Sequence, residues 1–163
     1  MLREKLNAFL ERLLAETERY YGERLISLVV FGSVGRGTPR FDSDIDILIV
    51  ASRLSPRRLR RMEEFAIIEQ ALAPDLAELE KYGIYTSLSP IIKSREEVRR
   101  GSPLFLDMLE DGIILYDREG FFRSFLDAFA QKLHRLGARR IKRGNSWHWV
   151  LKEPYQKNEV FEL

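Results

Sequence analysis

The stretch Gly32 to Val50, GSVGRGTPRFDSDIDILIV, constrains this chain more than any other. It joins two apolar, branched runs, Leu25 to Phe31 and Asp44 to Val50, each of which reads as a buried strand. Side chains alternate along a strand. Asp44, Asp46 and Leu48 therefore share one face, and Ile45, Ile47 and Ile49 share the other. Residues two apart on a strand lie about 7 Å apart at Cα, so the two carboxylates can reach toward one point. Like charges held this close disfavour each other's ionised form unless something positive joins them. Hard, all-oxygen ligands suit Mg²⁺, with Mn²⁺ as the alternative. The preceding loop, Gly32 to Arg40, carries Gly32, Gly35 and Gly37, which let backbone N–H groups approach a ligand and form an anion-binding nest. Ser33 adds a hydroxyl and Arg36 a guanidinium. A phosphate cradle beside a cation site implies chemistry on a nucleoside triphosphate. Each half has a bland reading, a turn for the loop and a solvated strand start for the acids; the pairing at this spacing favours the site.

The rest of the chain supplies a small sheet with helices against it. Leu6, Phe9, Leu10, Leu13 and Leu14 recur at helical spacing over Leu2 to Tyr20, and Gly22 ends that helix. Pro56 opens a helix to about Leu72, with Leu59, Met62, Phe65 and Ala66 expected on its apolar face. Leu76 to Lys81 fits either a helix or a loop. Ile84 to Ile92 is expected as a third strand, with Pro90 marking an edge or an end. Ser94 with Glu97 is a capping-box pattern. A helical stretch, Pro103 to Leu109, ends at Gly112, and Ile113 to Tyr116 is a fourth strand. Beyond Asp117 come a helix, Gly120 to Leu136, a basic run from Arg139 to Arg143, a Gly144-Asn145 turn and the tryptophan-bearing Ser146 to Leu151. The fold class is thus α/β (α+β): a small mixed sheet flanked by helices. The division expected is 1–117 for the main domain and 118–163 for a C-terminal helix and hairpin appendage packed on it.

Gly32-Ser33-Val34-Gly35-Arg36-Gly37 followed by Ser43-Asp44-Ile45-Asp46 resembles the signature of the DNA polymerase beta-like nucleotidyltransferase superfamily, in particular its small prokaryotic, minimal type. The flanking strand pattern extends the likeness over residues 25–117. The resemblance implies Mg²⁺-dependent transfer of a nucleoside monophosphate from a triphosphate, ATP above others, to a hydroxyl of a protein, RNA or small molecule. It implies that Gly32 and Ser33 hold the triphosphate, with Gly35, Arg36 and Gly37 completing the loop. Asp44 and Asp46 would be the catalytic acids and the metal ligands. Arg36 suits phosphate contact or solvent equally. Asp42, one pleat outside the pair, is expected either in the loop or supporting the pair from behind, with Ser43 on the other face capping the loop. The superfamily usually adds a third carboxylate from a neighbouring strand, but Ile84 to Ile92 carries none. Glu96 and Glu97 lie beyond Pro90 and are poor substitutes. Ser87 or Ser89 is expected at that place, Ser87 favoured. The gap opens an alternative: a nucleotide-binding or catalytically weakened regulatory, antitoxin-type module that works by binding a small helical partner protein, as the resemblance to toxin–antitoxin members implies.

Net charge, +2 from 27 basic and 25 acidic residues, neither requires nor excludes nucleic acid. Arg53, Arg57, Arg58, Arg60 and Arg61 read as a solvated helix start or as a basic rim facing RNA or an acidic partner. Arg135, Arg139, Arg140, Lys142 and Arg143 beside Trp147, His148 and Trp149 fit either single-stranded nucleic-acid binding, RNA included, or core packing. The absence of cysteine excludes disulfides, thiol chemistry and thiolate zinc sites. No apolar run approaches the roughly 20 residues needed to span a bilayer. The expectation is a cytoplasmic protein with no membrane partner.

Overall fold

The computed structural model describes residues 1–143 and 146–151. Strands β1 (Leu25–Phe31), β2 (Ile45–Ala51), β3 (Leu88–Lys93) and β4 (Ile113–Asp117) form one mixed sheet in the order β3-β2-β1-β4. β1 runs antiparallel to both β2 and β4, whereas β2 and β3 are parallel. Parallel neighbours need a crossover connection, supplied here by helices α3 (Arg58–Ala71) and α4 (Ala73–Glu80). The two central strands are apolar because helices cover both faces. All seven residues of β1 are buried, and in β2 only Asp46 is not.

One face packs Ile45, Ile47 and Ile49 against Leu6, Phe9, Leu10 and Leu13 of α1 (Leu2–Tyr21), with Phe65 and Ile68 of α3 and Leu79 of α4. The other packs Ile26, Val29, Leu48 and Val50 against Phe122, Leu126, Phe129 and Leu133 of α7 (Phe121–Leu136), with Phe105 between them. Short helices α2 (Gly32–Gly35), α5 (Arg95–Arg99) and α6 (Met108–Asp111) sit at the sheet margins. β5 (Arg139–Arg143) and β6 (Ser146–Val150) form an antiparallel hairpin, from which Trp149 packs on the Phe105 side of the core. The Gly144-Asn145 turn, the side chains of Trp147 and His148, and the chain beyond Leu151 lie outside the described residues. No described helix is long and apolar enough to cross a membrane.

Several local expectations need correction. The third strand begins at Leu88, not Ile84, since residues 84–87 follow the 41–45 segment through Tyr85 N–H to Phe41 O (2.7 Å) and Ile45 N–H to Ser87 O (2.9 Å) without regular strand geometry. The apolar face of α3 is Phe65 and Ile68; Leu59 is 70% exposed and Ala66 is also exposed, because these two, seven residues apart, share the side of the helix opposite Ile68. Residues 73–80 are helical, opened by Pro74 in the first turn, where a missing N–H costs nothing. The Gly32 to Arg40 segment is not wholly loop but starts with the helical turn α2. Pro90 does lie on an edge strand, and the Ser94 hydroxyl accepts the Glu97 N–H at 3.2 Å, as a capping box requires.

Candidate active site

The site forms where β1 ends and β2 begins. Phe31 pairs with Asp46 across the two strands, and the chain turns at once into α2. Gly32 makes this possible. Its φ is 68°, and a Cβ there would fall on the Asp46 carboxylate. By helix geometry the N–H groups of Gly32, Ser33 and Val34 head α2 with no carbonyl one turn earlier to receive them. The turn closes through Arg36 N–H to Gly32 O (3.0 Å) and Thr38 N–H to Ser33 O (3.0 Å). Gly37, at φ 73°, presents its carbonyl to Arg3 Nη2 at 3.1 Å, so the start of α1 tethers the loop.

Asp44 stands exposed one residue before β2, and Asp46 is half-buried within it. Burial raises the Asp46 pKa above the ordinary carboxylate value, and the charge of Asp44 raises it further; the Ser89 hydroxyl bond and the Arg36 guanidinium oppose the rise. Ser89 is the register partner of Asp46 on β3. Ser87 donates its hydroxyl to Asp44 Oδ1 at 2.6 Å. Both serines thus face the acid pair. Asp46 is under-neutralised from within the protein, and its carboxylate lies against Gly32 at the start of the phosphate-type loop. Those features fit a hard divalent cation, which Asp44 and Asp46 would hold.

Other residues settle elsewhere. Asp42 is exposed and pairs with Arg40 at 3.4 Å, while Ser43 Oγ accepts the Arg40 N–H at 2.8 Å. Glu97 is engaged in a two-pronged pair with Arg61 (2.7 and 3.0 Å), so Arg61 is neither a solvated nor a rim arginine. Gly35 is close-packed for a reason the spacing does not reveal. A Cβ there would stand 2.5 Å from the Asp111 carbonyl oxygen and 3.0 Å from that of Val30. Arg140 holds this same Asp111 at 2.7 Å and Glu110 at 2.9 Å. Arg3, Asp111 and Arg140 therefore support the loop from three elements. Sequence reasoning missed them, since nothing in the basic run distinguishes Arg140 from Arg139.

This site and fold carry a family. Residues 10–102 match the model of the nucleotidyltransferase domain, and the chain belongs to that family. It is 31% identical over 144 residues to a protein of Methanocaldococcus jannaschii provisionally named a protein adenylyltransferase, covering 87% of this chain and 92% of that one. Among solved structures it resembles a provisionally named nucleotidyltransferase of Sulfolobus solfataricus (20% identity, 71% of this chain and 86% of that chain, TM-score 0.45). Another is a tri-AMPylated Shewanella oneidensis HEPN toxin in complex with MNT antitoxin (18% identity, 83% and 91%, TM-score 0.40).

Proposed function

We propose that this nucleotidyltransferase-family chain is a Mg²⁺-dependent enzyme that moves AMP from ATP to a hydroxyl group, with a protein as the first acceptor to test. The observation that carries the reading is the contact of Gly32 with Asp46, which sets a phosphate-type loop directly against a half-buried, under-neutralised carboxylate. The name of the M. jannaschii relative supports adenylyl transfer and a protein acceptor. The N–H groups heading α2 and the Ser33 hydroxyl receive phosphate oxygens, and Arg36 adds positive charge near them. Asp44 and Asp46 hold the cation, which when bound neutralises the triphosphate and favours the ionised form of an attacking oxygen. The acceptor oxygen bonds to the α-phosphorus as the bond to the bridging oxygen breaks, and pyrophosphate leaves. The hydroxyl proton passes to solvent, since Ser87 and Ser89 offer hydroxyls rather than a carboxylate beside the acids.

That last point favours a second reading. With Ser87 and Ser89 facing the acids, a chain that binds nucleotide but transfers slowly would act chiefly by complexing a partner protein.

Incubation with labelled ATP, GTP, CTP and UTP, Mg²⁺ and cell lysate separates the two. Label from ATP should reach a macromolecule with the wild type and not with Asp44→Asn/Asp46→Asn. The double variant should also lose Mg²⁺-dependent ATP binding in calorimetry while keeping its fold. Binding without transfer selects the second reading. Unchanged metal-dependent binding in the double variant moves the site elsewhere.

A further inference from the structure

A cleft of about 740 Å³ runs along the open edge of β3, between α3 on one side and the α5–α6 segment on the other. It begins at Pro90, the residue after Ser89, and ends at Lys93 and Ser94. The Arg61–Glu97 pair bridges it and is internally neutral. Three further cations line it, Arg58, Lys93 and Arg100, and none of their side chains has a hydrogen bond or ion pair among the described residues. Between the cations the wall is aliphatic, with Met62, Ile91 and Leu104. The strand edge itself cannot take another strand, because Pro90 lacks an N–H and the Ile92 carbonyl already accepts Arg61 at 3.0 Å. A ligand here is therefore held by side chains. It must be anionic and also carry aliphatic surface. No aromatic side chain lines the cleft, so nucleic-acid bases find no stacking platform.

We propose that this cleft is the docking groove for an acidic, aliphatic-rich segment of the acceptor polypeptide, a proposal that rests on the transfer reading above. At about 3.3 Å per residue, Lys93 lies roughly 13 Å along β3 from Ser89 beside Asp46. An acidic segment seated on Lys93 and Arg100 leaves about four extended residues to carry a hydroxyl side chain to the acid pair. Arg58, on the opposite wall, would engage the segment from the α3 side.

The test uses a short fluorescein-labelled peptide of alternating glutamate and leucine ending in tyrosine, followed by anisotropy. Wild type should bind it, more weakly as salt rises. Arg58→Ala/Lys93→Ala/Arg100→Ala should weaken binding by roughly tenfold or more. Arg123→Ala/Lys132→Ala/Arg135→Ala, which removes equal charge from α7, should stay within about twofold, since rim charges away from the ligand contribute little. Failure of wild type to bind, or equal affinity for the triple cleft variant, overturns the groove. Tighter binding of a single-stranded oligoadenylate of matched charge overturns the choice of polypeptide. Asp44→Asn/Asp46→Asn should keep peptide affinity while losing Mg²⁺-dependent ATP binding. If wild type binds the peptide but no Mg-ATP, the transfer reading fails and the groove stands.

Discussion

Asp46 is held in the least comfortable place a carboxylate has in this sheet: half-buried, beside Asp44, with Gly32 against it. Its raised pKa has a definite sign. Below its unfolded value of 3.8 the group is neutral in both states and costs nothing; as pH rises through the window above that value, the folded state bears a charge it disfavours, and stability falls. In chelator, Asp46→Asn should flatten that loss, giving a melting temperature at neutral pH no lower than wild type; a clear drop would show that the carboxylate is satisfied within the protein. Gly32→Ala places a Cβ at positive φ and onto the Asp46 carboxylate. It should cost about 1–3 kcal/mol in denaturant unfolding and abolish ATP binding, whereas Val34→Ala, a change in the core side of α2, should cost stability with ATP affinity retained. The acids and the glycines are legible in the sequence because both rest on local backbone periodicity. The reason for Gly35 is not legible, since Asp111 reaches it from far along the chain. Ser87→Asp should set a third carboxylate beside Asp44, lowering the melting temperature in chelator and enlarging the gain on adding Mn²⁺. An equal or smaller Mn²⁺ gain would mean that position 87 does not reach the cation.

Among the elements, α3 and α5 are joined by one interaction that neither shows on its own. Ser94 caps α5 and is read directly from its spacing to Glu97, but that carboxylate's second role, receiving Arg61, depends on how α3 crosses the β3 edge. The hydrogen bonds from Arg61 hold the Glu97 carboxyl down at about 2, against 4.5 unfolded. Its contribution is therefore complete above pH 4.5 and is lost as pH falls toward about 2. Arg61→Ala should destabilise by about 2 kcal/mol at neutral pH, and the gap to wild type in unfolding free energy should shrink across that acid window. A gap that stays constant down to pH 2 would assign the loss to the arginine's contacts with the Ser55 and Ile92 carbonyls instead. The late start of β3 has a similar origin. Ile84, Thr86 and Leu88 alternate correctly, but Tyr85 and Ser87 bond to the irregular approach to β2, so periodicity runs ahead of the strand.

For the whole molecule, the order of strands and helices is readable because each element carries its own period, whereas the dependence of one face on the C-terminal part is not. A sheet of which two strands are apolar on both sides needs two covers. The first comes from α1, α3 and α4 and lies within residues 1–117; the second comes chiefly from α7, beyond that boundary. The Asp117 carboxylate ties the parts together, accepting the Ser27 hydroxyl at 2.7 Å and the N–H groups of Phe122 and Arg123 at 2.8 and 2.9 Å. Phe122, Leu126, Phe129 and Leu133 are each buried, and at about 1.5–3 kcal/mol apiece their loss amounts to roughly 6–12 kcal/mol, the scale of a domain's entire stability. A chain ending at Asp117 would leave Ile26, Val29, Leu48, Val50 and Phe105 facing water. It is expected to keep helical far-ultraviolet dichroism, lose near-ultraviolet dichroism and cooperative melting, and bind a hydrophobic dye. A chain ending at Leu136 keeps that cover and loses the hairpin with its Arg140 clamp on α6, so it should melt cooperatively at a lower temperature with weakened ATP binding. Sharp two-state melting of the shorter chain would mean that 1–117 folds without α7 and that the second cover is an addition to a complete domain.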